Sequence, residues 1–247
     1  MKNSSIGIIS LMLVSGTFAC TVPSEPDGQA PAQGEEEVSQ PIINGTSASA
    51  FTEAALVNGP NFACSGAVIA PRVVLTAGHC VVGTSSWTVK APYAANQSAR
   101  GTRSWTPYVS TGNTVNPDTL DVGVIILDTP ITITTYPKLT SAAVARGTKA
   151  VNVGRKRNGE LSSTQLYVGA SVSLIPGDPQ GFPLAYASAE IIESGDSGGP
   201  VYVGSGVSRS LTAVNSGGGG GNQVLARVDL AFAKIQELIA ANGGSGN

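Results

Sequence analysis

Short apolar runs, each closed by Gly, Pro, Asn or Ser, recur along the chain at 63–70, 73–76, 87–93, 122–127, 150–153, 166–174, 200–203 and 211–215. Runs of this length, rich in Val, Ile and Ala and bounded by turn residues, are the signature of strands. One later segment has a different period. Phe232, Ile235, Leu238 and Ile239 fall on one face of a helix, with Asp229 placed to cap its start and Asn242-Gly243 to end it. The pattern predicts an all-β domain followed by a C-terminal α-helix, with no internal repeat, transmembrane helix or additional domain.

Before residue 42 this pattern is absent. Residues 1–20, MKNSSIGIISLMLVSGTFAC, open with a lysine at position 2, continue with an apolar run from Ile6 to Val14 and end in small residues before Cys20. This is an export signal, and its apolar part is too short for a comfortable membrane span. Residues 21–41, rich in Pro, Glu, Gln, Ser and Gly, hold too few apolar side chains to pack and read as a tether. A signal that stops at a cysteine before a polar leader resembles those of bacterial lipoproteins, which implies lipidation of Cys20 as the mature terminus. An ordinary signal-peptidase cut after Ala19 is the alternative. The chain therefore divides into a signal peptide (1–19), Cys20 with a tether or propeptide (20–41) and one domain (42–247).

Composition narrows the function. The 247 residues carry 14 Lys and Arg against 16 Asp and Glu. The densest basic cluster is the RKR of 155–157, so a nucleic-acid partner is set aside. Of the three cysteines in an exported chain, parity leaves one unpaired. Lipidation of Cys20 accounts for one, leaving Cys64 and Cys80 either to pair in an oxidising compartment or to remain buried thiols.

The stretch IIESGDSGGPVY at 191–202 sets Ser197 among glycines. Alone it is an ordinary tight bend, since Gly, Asp and Ser all favour turns. A serine nucleophile needs a base, and the chain's single histidine, His79, lies in VVLTAGHC directly before Cys80. The base needs a sheltered carboxylate to fix its tautomer. Of Asp118, Asp121 and Asp128, Asp121 opens the apolar run 122–127, whereas Asp118 sits in a turn and Asp128 begins a loop. Chain order then discriminates. No histidine follows Ser197, against an α/β-hydrolase. Before His79 the only aspartate is Asp27 in the tether, against a subtilisin order. One histidine without HExxH cannot build a zinc hydrolase site. What survives is His, then Asp, then Ser.

TAGHC, DVGVIIL and GDSGGP, in that order, resemble the three signatures of trypsin/chymotrypsin-like serine endopeptidases, and the likeness runs from IINGTSA at Ile42 to the C-terminal helix. It implies two six-stranded antiparallel β-barrels with a C-terminal α-helix and an active site in the cleft between them. It also implies a Cys64–Cys80 bridge in CSGAVIAPRVVLTAGHC. By the resemblance Ser197 attacks the scissile carbonyl, His79 serves as base and then acid, Asp121 orients His79, and the N–H groups of Gly195 and Ser197 form the oxyanion hole. No metal or cofactor is implied. The partner is a protein or peptide substrate, and the chain is expected to be monomeric.

The resemblance further implies that Asp196 pairs with an α-amino group freed at Ile42. Where the family shows Arg or Lys before that cut, this chain has Pro41, which calls for a proline-tolerant protease or stepwise trimming. For specificity, Ile191 matches the pocket-floor position where trypsins carry an aspartate, Ser216 and Gly218 match the substrate-pairing strand, and Gln223 matches a pocket-wall position. Small or medium uncharged side chains before the cut are expected. A catalytically silent binding or adhesion module of the same fold is the alternative, and the expected location is the bacterial cell envelope, or the exterior after processing.

Overall fold

The structure is a computed structural model that describes residues 45–112 and 114–244. After a short strand β1 (Thr46–Ser47), the first half contains β2 (Ala54–Asn58), β3 (Ala63–Ala70), β4 (Val73–Thr76), β5 (Trp87–Ala91), β6 (Gln97–Trp105) and β7 (Gly123–Leu127). They close into a barrel in the order β2-β3-β4-β7-β6-β5, with β5 returning to pair with β2. Successive side chains of a strand point to opposite faces, and here both faces are covered. Val57, Val74, Trp87 and Ile125 fill the barrel interior. Their neighbours Leu56, Leu75 and Val124 face the second half, meeting Val153, Tyr202 and Val214. That two-sided burial explains why β4 and β7 read as continuous apolar runs.

The second half comprises β8 (Lys138–Leu139), β9 (Lys149–Gly154), the hairpin β10 (Lys156–Arg157) and β11 (Glu160–Leu161), β12 (Tyr167–Val168), β13 (Val172–Ser173) and β14 (Ile175–Pro176). It continues with β15 (Ala185–Ala189), β16 (Pro200–Val203), β17 (Ser210–Gly219) and β18 (Asn222–Arg227). Its sheet runs β9-β16-β17-β18-β15-β14. The expected second barrel is not closed. The segment that would close it changes partners at Leu174: β13 pairs with β9 on one side, and β14 with β15 on the other. Leu174 itself is fully buried, and its N–H donates to Thr148 O at 2.9 Å, so the seam is spanned without a continuous ladder.

The helix α1 (Phe232–Ala241) buries Ile235 and Ile239 against the core between the halves, worth about 1.5–3 kcal/mol for each side chain. Asp229 does not cap it. That residue opens a 3₁₀ turn (Asp229–Ala231), and its carboxylate holds Arg227 at 2.6 Å and 3.1 Å. The C-terminal end follows the sequence pattern, with Asn242 as the cap and Gly243 at φ +81°.

An ion pair ties the halves together. Arg209 donates from Nη2 to both carboxylate oxygens of Glu53, which is 2% exposed, at 3.0 Å and 3.2 Å, while its guanidinium lies 4.5 Å from the Phe51 ring centroid. Within the first half, Cys64 and Cys80 are joined in a disulfide. Replacing both cysteines by serine is expected to cost about 3 kcal/mol for a loop of this length, read as a lower urea midpoint with a somewhat steeper slope, since the unbridged chain unfolds to a more open state.

Candidate active site

His79 sits in a 3₁₀ turn (Gly78–Cys80) directly after β4, with the disulfide at Cys80 pinning its backbone. Asp121 lies just before β7, and β4 and β7 pair through Thr76 and Gly123, so the sheet brings the two sites together. Asp121 is 3% exposed. Its Oδ1 accepts the backbone N–H of His79 at 2.8 Å, and its Oδ2 lies 2.8 Å from His79 Nδ1. A third donor comes from the other half. Ser216 Oγ donates to Asp121 Oδ2 at 2.6 Å, and the irregularity in β17 between Asn215 and Gly217 re-aims its side chain. The carboxylate therefore faces donors on every side and favours the tautomer that leaves Nε2 unprotonated. Asp118 stays in its turn, and Asp128 is exposed and accepts from Arg100 N at 3.1 Å.

Ser197 lies in the turn before β16. Gly198 N donates to Asn215 O at 2.7 Å and Asn215 N to Gly199 O at 2.9 Å, which docks this turn on β17. The first half grips it too. Ser65 N donates to Ser197 O at 2.8 Å, and Ser65 Oγ donates to Gly195 O at 3.0 Å. His79 and Ser197 line one cleft of about 920 Å³. Their side chains make no hydrogen bond to each other here. Among the described residues the N–H groups of Gly195 and Ser197 have no hydrogen-bond acceptor, so both can donate to a ligand oxygen. Gly195 has φ +107°, a conformation that a side chain would strain. Tyr108 stands edge-on to His79, its ring centroid 6.3 Å away, and burial pushes its phenol pKa up.

Asp196 is fully buried, with Oδ1 accepting Lys156 N at 2.7 Å and Oδ2 accepting Glu193 N at 2.9 Å. Burial pushes its pKa up to about 6, against the pull of these backbone donors. Beside it Arg155 is 2% exposed and donates to Ser162 O, Asn58 Oδ1 and Cys64 O at 2.9, 2.7 and 3.0 Å. Of the RKR run, then, the first residue is interior, which a charge count cannot reveal. Ile42 and Cys20 lie outside the described residues.

The expected pocket residues separate into two groups. Ser216 and Gly218 line the cleft, together with Ala187, Ile192 and Val224. Ile191 and Gln223 do not, because the fully buried Gln223 carboxamide turns inward, donating to Ser188 Oγ at 2.8 Å and accepting Ile191 N at 3.0 Å. The sequence reading missed Ser65 and Glu190. Neither has a local signature, since Ser65 acts on a loop 130 residues away, and Glu190 closes on Gly221 N at 3.0 Å through space. Cys64, His79 and Cys80 cluster closely enough to suggest a metal, but both sulfurs are spent in the disulfide.

Comparison with known proteins bears on the fold. The structure is similar to human heparin binding protein, with 22% identity, a TM-score of 0.63, and coverage of 83% of this chain and 99% of that one. It is also similar to mouse neuropsin, described as a serine protease expressed in the limbic system, with 18% identity, a TM-score of 0.63, and coverage of 79% and 99%. At these identities the likeness is one of fold. No curated protein matches. The trypsin family model matches residues 42–239, nearly all of the domain that carries His79, Asp121 and Ser197, and the chain belongs to that family.

Proposed function

We propose that the protein is a serine endopeptidase that hydrolyses peptide bonds through an acyl-enzyme, with Ser197 as nucleophile, His79 as general base and acid, and Asp121 as the residue that orients His79. The observation that carries this reading is the imidazole held by a buried carboxylate in the same cleft as Ser197 and two unengaged backbone N–H groups. Such donors, placed where negative charge develops, supply about 10²–10³ in rate each. The chemistry calls for no metal or organic cofactor. A fluorophosphonate probe tests the reading: labelling of processed protein that disappears in Ser197→Ala supports catalysis. Absence of labelling in folded, processed protein would leave the binding-module alternative, which the likeness to a protein named for heparin binding keeps in view.

The substrate is a protein or peptide with a small or medium uncharged side chain before the cut. In support, apolar Ala187, Ile192 and Val224 line the cleft, and its two acids are engaged: Glu193 is paired with Lys156 Nζ at 3.0 Å and Glu190 bound to Gly221 N. Peptides with Ala or Val at that position are expected to be cleaved at least ten-fold faster than those with Arg. The reading extends to an exported, monomeric enzyme, tethered through lipidated Cys20 or released after processing.

Activation follows from Asp196, whose buried carboxylate would be stabilised by an ammonium freed at Ile42. Its folded pKa of about 6 exceeds the ordinary 3.8. The folded state therefore retains a proton that the unfolded chain loses, and this contribution is full below pH 3.8 and lost as pH rises through about 6. In unprocessed protein the urea midpoint is expected to show a fall over that window that Asp196→Asn removes.

A further inference from the structure

Ser65 is completely buried, yet it carries a hydroxyl. A buried hydroxyl left without a partner is costly, so its one side-chain bond is informative. That bond goes to Gly195 O at 3.0 Å, across the boundary between the halves. The main chain of the same residue donates to Ser197 O at 2.8 Å, and its carbonyl accepts Thr76 Oγ1 at 2.8 Å, so Ser65 is itself fixed from the strand that leads to His79. The preceding Cys64 is held by the disulfide and by Arg155 on its carbonyl.

Gly195 needs this hold. Its left-handed φ of +107° is one of many open to glycine, and no side chain anchors it. Its N–H points usefully only while the peptide on its other side is fixed. The Ser65 hydroxyl fixes that peptide by its carbonyl, and Ser65 N fixes the carbonyl of the residue two further on. The pair brackets Asp196, whose carboxylate is tied separately to Lys156 N and Glu193 N.

We propose that Ser65 is a positioning residue of the oxyanion loop, its hydroxyl holding the Gly195 peptide so that the Gly195 N–H faces the developing oxyanion. The proposal rests on the endopeptidase reading above. Ser65 touches no substrate. Its removal therefore acts on transition-state stabilisation and leaves ground-state binding intact.

The experiment compares wild type with Ser65→Ala and Ser65→Gly, each corrected for active sites by titration. The expected result is a fall of about ten-fold or more in kcat with KM changed less than two-fold, matched by an equal loss of affinity for a peptide aldehyde, whose hemiacetal oxygen occupies the oxyanion site. Affinity for a non-reactive peptide of the same sequence stays unchanged. Ser65→Cys, which keeps a weak donor, recovers part of the loss. Equal kcat and aldehyde affinity in wild type and the alanine or glycine variants overturns the proposal, as does a parallel rise in KM. Absence of turnover and labelling in processed wild type overturns the endopeptidase reading first, and the two failures are separable by that measurement.

Discussion

Replacing Asp121 by asparagine is expected to lower kcat about 10⁴-fold while the domain stays folded. The reason is the set of donors around this carboxylate. His79 N–H points at Oδ1, and His79 Nδ1 and the Ser216 hydroxyl both lie on Oδ2. An amide has one accepting oxygen and one donating nitrogen, so it cannot satisfy donors on both sides. With the oxygen kept on the backbone N–H, the amide nitrogen faces Nδ1 and forces it to accept. The proton then resides on Nε2, where the imidazole can no longer take the Ser197 proton. Turnover of a peptide substrate by the purified variant, with its thermal midpoint as a control, checks this. Activity within ten-fold of wild type, in a protein of unchanged stability, would remove Asp121 from the mechanism.

A comparably large effect, on the fold of the turn that carries Ser197, is expected from Gly198→Ala. Gly198 has φ +79°, strained for any residue with a Cβ, and that Cβ would lie 2.1 Å from Thr76 Oγ1, 2.5 Å from Ser65 O and 2.7 Å from Ala77 N. Two of these atoms belong to the main chain of the first half and cannot rotate away. The turn must lift from the barrel, breaking the Ser65–Ser197 bond. The strain of about 1–2 kcal/mol for the left-handed conformation adds to displaced backbone contacts. A total near 3 kcal/mol or more corresponds to a fall of roughly 6–12 °C in Tm for a domain of this size. Calorimetry together with probe labelling reads both consequences, and a variant with wild-type Tm and labelling would show that the turn is not pressed against the barrel.

His79, Asp121 and Ser197 stand out in the sequence because each sits in a run whose type is nearly dictated: glycines around Ser197, an apolar strand before His79, another after Asp121; the structure bonds the first two and sets His79 in one cleft with Ser197. The helix was legible for the same reason. Strands β2, β6, β15 and β18 were not. In β6, Gln97–Trp105, polar and charged residues alternate with Ala99 and Gly101, and only one face is buried, so no apolar run marks it. Strand β17 continues through Gly217–Gly219, where no side chain signals its pairing with β18. At Gln223 the alignment position gives no sign that the carboxamide folds inward to hold Ile191 and Ser188. Side-chain direction at a buried polar residue depends on partners distant in the chain.

Ser216 to Asp121, Ser65 to Gly195, Arg155 to Asn58 and Arg209 to Glu53 all cross from one sheet to the other. Sliding one sheet against its neighbour by an ångström would stretch these links while each sheet kept its own ladder. On the endopeptidase reading, turnover becomes a strain gauge for the seam: it is expected to fade under mild denaturant or pressure while amide protons within either sheet remain shielded from exchange.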